Sequence, residues 1–126
     1  KALTDNKGVD VIYDPVGASY SEQALRAIAW KGRFLVVGFA AGEIPKIPLN
    51  LALLKGCQIV GVFWGAFAKR CPREDQANME QIMQWVLDGQ LKPHIHREYT
   101  LDQTAEALEA LANREVKGKA IIIPDA

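Results

Sequence analysis

Three short apolar runs, each carrying glycine at or near its end, constrain this chain more than anything else in it. Val9-Asp10-Val11-Ile12-Tyr13 leads into Asp14-Pro15-Val16-Gly17. Arg33-Phe34-Leu35-Val36-Val37 leads into Gly38, and the third run is Cys57-Gln58-Ile59-Val60-Gly61-Val62-Phe63-Trp64. Runs rich in β-branched residues, without polar alternation, suit strands covered on both faces, as in parallel sheets. Parallel neighbours need a crossover between them, and each interval is long enough for one. The fold class is therefore α/β. At 126 residues the chain is one domain at most, or a piece of a larger one.

The helices fill the intervals. Ser19-Tyr20-Ser21-Glu22 has the form of a capping box, which predicts a helix from Tyr20 with Ala24, Leu25 and Ile28 on the same face, stopped at Lys31-Gly32. Residues 40–48, bracketed late by Pro45 and Pro48, read as an exposed loop. Leu49 to Leu54 reads as a short helical turn, and Gly65 to Arg73 as a loop. Met79, Ile82, Met83, Val86 and Leu87 share one face of an amphipathic helix ended by Gly89, with the methionines expected in its core. Lys92 to Glu98 is short and polar. Thr100-Leu101-Asp102-Gln103 is a second capping box, opening a helix with Leu101, Ala105, Leu108 and Leu111 on one face. Lys119 to Ile123 is a last apolar strand, stopped by Pro124.

Composition excludes several partners. Fifteen basic residues balance fifteen acidic ones, so no field of one sign attracts nucleic acid or an anionic membrane. No apolar run is long enough to span a bilayer, and residues 1–8 are too polar for a signal peptide. A start on Lys rather than Met fits a processed or truncated product. Cys57 and Cys71 make no disulfide framework, and a reducing cytoplasm is the expected compartment. Cys57 reads as a small core residue, and Trp30 and Trp85 as packing residues. His94 and His96 lack a further ligand at metal spacing and read as surface residues. No serine sits in a nucleophile elbow, and no carboxylate pair is placed for acid–base work. Asp14 follows a strand and either acts chemically or orders its loop.

Ligands of open α/β sheets sit beyond the carboxyl ends of the strands. Asp14-Pro15-Val16-Gly17 and Val37-Gly38-Phe39 lie there. Glycine at such a point admits a ribose or a flat ring without a Cβ in the way, or simply permits a tight turn. The glycine-rich phosphate turn of dinucleotide-binding domains, G-x-G-x-x-G, occurs nowhere in the 126 residues. The expected organisation is thus the second half of a Rossmann-type parallel sheet over residues 1–66, and a C-terminal segment of helices and a strand over 67–126.

The runs GVDVIYDPVGA, GRFLVVGFAAGE and VKGKAIIIP together resemble the medium-chain dehydrogenase/reductase superfamily, most closely its zinc-independent quinone oxidoreductase branch. The family pattern D-x-V-G falls on Asp14 to Gly17, G-R-x-V-x-x-G on Gly32 to Gly38 with the small residues running to Gly42, and the closing G-K strand on Gly118 to Ile123. The resemblance covers essentially the whole chain. Pro15 and Phe39 depart from the smaller residues usual at their positions.

The resemblance implies a nicotinamide cofactor, NADPH with NADH possible, and hydride transfer to a quinone or an activated alkene in the full enzyme. It implies that Val16 and Gly17 lie near the ribose or nicotinamide side. Val37, Gly38 and Phe39 would line the nicotinamide ribose, and Val62, Phe63 and Trp64 would present backbone groups to the carboxamide. Lys119 would reach the cofactor phosphates. No catalytic residue and no metal ligand fall within the chain, which alone is expected to be inactive. The family also implies a homodimer through the edge strand 58–62. Two rivals follow: a fragment of a zinc alcohol dehydrogenase, whose ligands would lie upstream, and a non-catalytic dimerisation module.

Overall fold

The structure, a computed structural model, describes residues 2–124. It divides into two compact units, Lys1–Cys71 and Pro72–Ala126.

The first unit holds a three-stranded parallel sheet in the order β1-β2-β3: β1 is Val9–Asp14, β2 is Ile28–Val36 and β3 is Gln58–Gly61. The register places Asp14 beside Val36, and Val36 beside Gly61, so the three strands end level with one another. Helix α1 (Ala18–Ala27) crosses from β1 to β2, and α2 (Asn50–Lys55) precedes β3. The core is Leu25, Ile28, Phe34 and Leu51, with Ile12, Ala24, Val36, Ile47 and Cys57 packed against it. Cys57, just before β3, is half-buried and packs against this core. Burying a side chain of the Leu, Ile or Phe type contributes about 2 kcal/mol, so this cluster is the unit's main stabilising element.

Two expectations for this unit are corrected. Helix α1 starts at Ala18, with Gly17 rather than Ser19 at its N-cap and no side-chain cap. Ser21 turns inward to Asp14, and Glu22 pairs forward with Arg26 at 2.6 Å instead of reaching back. The helix also ends at Ala27, not at Lys31: Ile28 adopts extended geometry and drops fully buried into the core. Lys31, at φ 62, lies within β2 at its irregularity, between the Val9–Ile28 and Val11–Arg33 pairs. Tyr20 is consequently exposed rather than on the core face. Trp30 lies over Gly56, a left-handed cap where a Cβ would sit 2.9 Å from the indole, although much of the ring remains exposed.

Beyond Gly61 the chain leaves the sheet. Val62 and Phe63 are irregular, and Trp64 begins α3 (Trp64–Arg70) where a loop was expected. The Phe63 carbonyl accepts the N–H groups of Ala66 and Phe67, and Trp64 stacks tilted on Phe67 with centroids 5.3 Å apart. That i, i+3 aromatic pair supports a helical turn that Gly65 alone would disfavour.

The second unit contains α4 (Pro72–Leu87), β4 (Ile95–Thr100), α5 (Thr104–Ala112) and β5 (Lys119–Ile123). Pro72 opens α4 and Glu74 and Asp75 follow in its first turn, a favourable start for the helix dipole. The Thr100–Gln103 capping box is formed and leads through a short 3₁₀ turn into α5. β4 and β5 pair in parallel, with Tyr99 and the Ala107–Ala110 face of α5 buried. The apolar faces read from the sequence are not the buried ones. Met79, Met83, Val86, Leu101, Leu108 and Leu111 are all exposed, so the methionines are not core residues. Periodicity identifies an apolar face but not what covers it. Trp85 is likewise part-exposed.

Candidate functional site

The level carboxyl ends of β1, β2 and β3 leave three segments side by side: Pro15–Gly17, Val37–Ala41 and Val62–Phe63. The first two are zipped together through the backbone. The N–H groups of Val37 and Gly38 both donate to the Asp14 carbonyl, at 3.0 and 3.3 Å. Ala40 N–H donates to the Pro15 carbonyl and Ala41 N–H to the Val16 carbonyl, each at 3.0 Å. The third segment joins by a bond from Val62 N–H to the Val36 carbonyl at 2.8 Å.

These segments frame an apolar cleft of about 400 Å³ lined by Val36, Val37, Gly38, Phe39, Gly61, Val62 and Phe63. A second apolar cleft of about 290 Å³, sharing Gly61, Val62 and Phe63 with the first, is lined also by Trp64 and Phe67. The structure thus brings together Val37, Gly38, Phe39, Val62, Phe63 and Trp64 of the expected site residues. Val16 and Gly17 do not line the cleft; they form the turn beneath its Phe39 wall. Gly17 has φ 76, and a Cβ there would stand 2.8 Å from the Phe39 ring, so glycine is required by both conformation and close approach. Lys119 belongs to the second unit, as the exposed first residue of β5.

Backbone chemistry in the cleft is specific. The N–H groups of Val37, Gly38 and Val62 are already engaged, and the Phe63 carbonyl caps α3. Among the described residues, the Phe63 N–H and the carbonyls of Val37 and Val62 carry no hydrogen bond of the chain. The Phe39 N–H and the Gly38 carbonyl, also of lining residues, are likewise unengaged, so the apolar walls carry both donors and acceptors of the backbone. Gly61 faces open space, since a Cβ there would meet nothing within 4 Å.

The residue that sequence reasoning left between two roles is Asp14. It is buried, and its Oδ1 accepts the N–H groups of Val16 and Gly17, each at 3.0 Å, while Oδ2 accepts the Ser21 hydroxyl at 2.5 Å. Its observed partners are those of a loop-ordering residue. Burial pushes its carboxyl pKa up, but the hydrogen bonds from Gly17, Ser21 and Val16 outweigh that and hold it below the ordinary value of 3.8. A carboxylate depressed in the folded state adds stability that is complete above its unfolded pKa and disappears as pH falls through the folded one. Melts of the parent and Asp14→Asn are therefore expected to differ by a constant amount above about pH 5, the gap closing at lower pH. A gap that persists unchanged at pH 2 contradicts this account.

The remaining motifs are quiet. Among the described residues no group of three or more His, Cys, Asp or Glu side chains is arranged to hold a metal, and no helix is long and apolar enough to cross a membrane. His96 lies exposed in β4, and the His94 carbonyl accepts the Lys119 N–H. Both cysteines are free thiols.

Comparison with known proteins agrees with this strand-end architecture. The zinc-binding dehydrogenase family model matches residues 1–122. The quinone oxidoreductase-like protein 2 homolog of Nematostella vectensis is 40% identical over 97% of this chain and 34% of its own length. An NADP-dependent oxidoreductase of Cochliobolus heterostrophus is 25% identical over 92% of the chain and 35% of its own length. The crystal structure of a Pseudomonas syringae quinone oxidoreductase superposes with a TM-score of 0.80 at 26% identity, covering 98% of this chain and 38% of that one. The chain spans about a third of the length of the curated relatives it matches. It belongs to the zinc-binding dehydrogenase family of the medium-chain dehydrogenase/reductase superfamily, and within it to the quinone oxidoreductase-like proteins.

Proposed function

We propose that this chain forms the nicotinamide side of the cofactor site in an NAD(P)H-dependent, quinone-reductase-like oxidoreductase. The observation that carries the reading is the apolar strand-end cleft with its small set of unengaged backbone groups. The residues fit a nicotinamide. A carboxamide needs one donor for its oxygen and acceptors for its amine, which the Phe63 N–H and the Val37 and Val62 carbonyls match in kind. The open face at Gly61 accommodates a flat ring. The cofactor, when bound, supplies the hydride, and the acceptor is a quinone or an electron-poor alkene. The walls of Val37, Phe39, Val62 and Phe63 exclude water from that ring, and Gly38 admits the ribose. Lys119 is assigned to the cofactor phosphates by family pattern.

NADPH is preferred as the cofactor because a relative is named for NADP; NADH remains compatible with every residue described. The relatives carry their activity in chains of which this one matches about a third, so the proposal concerns the longer protein, and these residues alone are expected to be inactive. Two free cysteines fit a cytoplasmic setting. We also propose that the protein is a homodimer paired through β3, which lies at one edge of the described sheet.

Gly61→Val tests the cofactor reading cleanly, because valine suits a strand and a Cβ at this position meets nothing within 4 Å. Gly38→Val is less clean, since a Cβ there would already press the Pro15 carbonyl at 3.3 Å. In the full-length protein Gly61→Val is expected to raise the NADPH dissociation constant at least tenfold, read by cofactor fluorescence, with the melting temperature nearly unchanged. Normal affinity in that variant removes the cleft from the cofactor site.

A further inference from the structure

We propose that Asp14 is a positioning residue of the cleft, acting through the backbone of the two loops that it joins. It touches neither cleft directly; the assignment rests on reading the cleft as the nicotinamide site.

The wall Val37–Ala41 is held by four N–H groups: those of Val37, Gly38, Ala40 and Ala41. Their acceptors are the carbonyls of three consecutive residues, Asp14, Pro15 and Val16. The position of the wall is therefore the position of the Asp14–Val16 backbone. What fixes that backbone is the Asp14 carboxylate. Oδ1 bridges the Val16 and Gly17 N–H groups, which closes the turn, and Oδ2 anchors it to Ser21, a residue of α1 that is 1% exposed. A third support comes from the same turn: Gly17 seats the Phe39 ring, and Ala18 N–H reaches the Glu43 carbonyl at 3.0 Å. One buried side chain thereby sets the height of the wall relative to β3, across which the cleft opens.

Hydride transfer is steep in distance, and a misplacement of about 1 Å can cost on the order of 100-fold in rate. A residue that sets the wall should therefore change the rate at saturating cofactor more than it changes cofactor affinity. Asparagine is the informative conservative variant. Its amide oxygen can still accept the two N–H groups, and its amine can donate to the Ser21 hydroxyl, which rotates to accept.

The test uses the full-length protein with NADPH and a small quinone, comparing the parent with Asp14→Ala, Asp14→Asn and Leu51→Ala. Leu51 is buried in the core, lines neither cleft and supplies a destabilised variant for comparison. Asp14→Ala is expected to lower kcat at least tenfold with the NADPH dissociation constant within threefold of parent, and Asp14→Asn to recover most of the loss. Leu51→Ala should keep kcat below its melting temperature. Amide exchange at Ala40 and Ala41 should accelerate at least tenfold in Asp14→Ala and not in Leu51→Ala. Unchanged exchange there, or an equal fall of kcat in Leu51→Ala, overturns the positioning role. Faster exchange with unchanged kcat also overturns it. A parent that binds no nicotinamide cofactor overturns the cleft reading as well, and is seen directly in the binding arm.

Discussion

Gly118→Ala is expected to unfold the β4–β5 sheet. Gly118 has φ 86, and a Cβ built there would lie 2.2 Å from the His94 carbonyl oxygen and 3.0 Å from its carbon. Both are backbone atoms and cannot swing aside as a long side chain would. The left-handed conformation alone costs an alanine on the order of 1–2 kcal/mol. Relieving the clash must break the bond from Lys119 N–H to the His94 carbonyl, 3.0 Å long, which opens the parallel pairing at Ile95 and Lys119. The combined loss is at least about 3 kcal/mol, large against the stability of a unit this small. Hydrogen exchange on the whole chain should show protection lost across β4 and β5 while β1, β2 and β3 retain theirs. Equal protection in parent and variant would show that the His94 turn yields more easily than its geometry implies.

Gly118 also shows what the sequence makes legible. The K-G-K motif before an apolar run announces a strand, and β5 spans Lys119–Ile123 as read. That Gly118 is pressed against His94 leaves no local trace, because the neighbour is brought in by β4 pairing. The same division holds through the chain. Runs of Val, Ile and Phe marked all three strands of the first sheet, but the expected cover on both faces is not found: β1 is mostly exposed, β3 is exposed throughout, and only β2 carries several buried residues. The third run was read too long, through Trp64, because apolar residues continue where the chain has already turned into α3. Val62, Phe63 and Trp64 are apolar for the sake of a cleft rather than a sheet.

The cleft was legible as glycines after strands, and most of its residues do come together. What holds them was not. Four wall N–H groups bond to consecutive carbonyls, and backbone-to-backbone zippering has no side-chain signature. Asp14 gave the one visible sign, a carboxylate at a strand end, and its role depended on where Val16, Gly17 and Ser21 placed their donors. The Ser19 capping box failed because α1 already begins at Ala18 with Gly17 as its N-cap, which puts Ser19 inside the helix rather than at its cap.

Ile59→Pro is expected to convert the proposed dimer to monomer while leaving the fold of the subunit in place. β3 lies at an edge of its sheet, and Ile59, Val60 and Val62 bring strand propensity without a charge or proline to blunt that edge. A closed twofold contact would satisfy its outward backbone groups and end further association. Which residues face outward follows from register. Val62 N–H donates to the Val36 carbonyl of β2. Along a parallel strand, alternate residues turn both their backbone groups to opposite sides, so Val60 also faces β2, and Ile59 and Gly61 face the free edge. Proline at Ile59 removes an outward donor and puts its ring where a partner strand would lie, at little cost to the β2–β3 ladder. Proline at Val60 instead removes a bond inside the sheet and should destabilise the subunit by about 3 kcal/mol. Light scattering at micromolar concentration, paired with thermal melts, separates the two. Ile59→Pro should halve the mass with a small change in melting temperature, and Val60→Pro should lower the melting temperature sharply. A parent already monomeric at high micromolar concentration, or an Ile59→Pro variant that stays dimeric, rules out pairing through this strand.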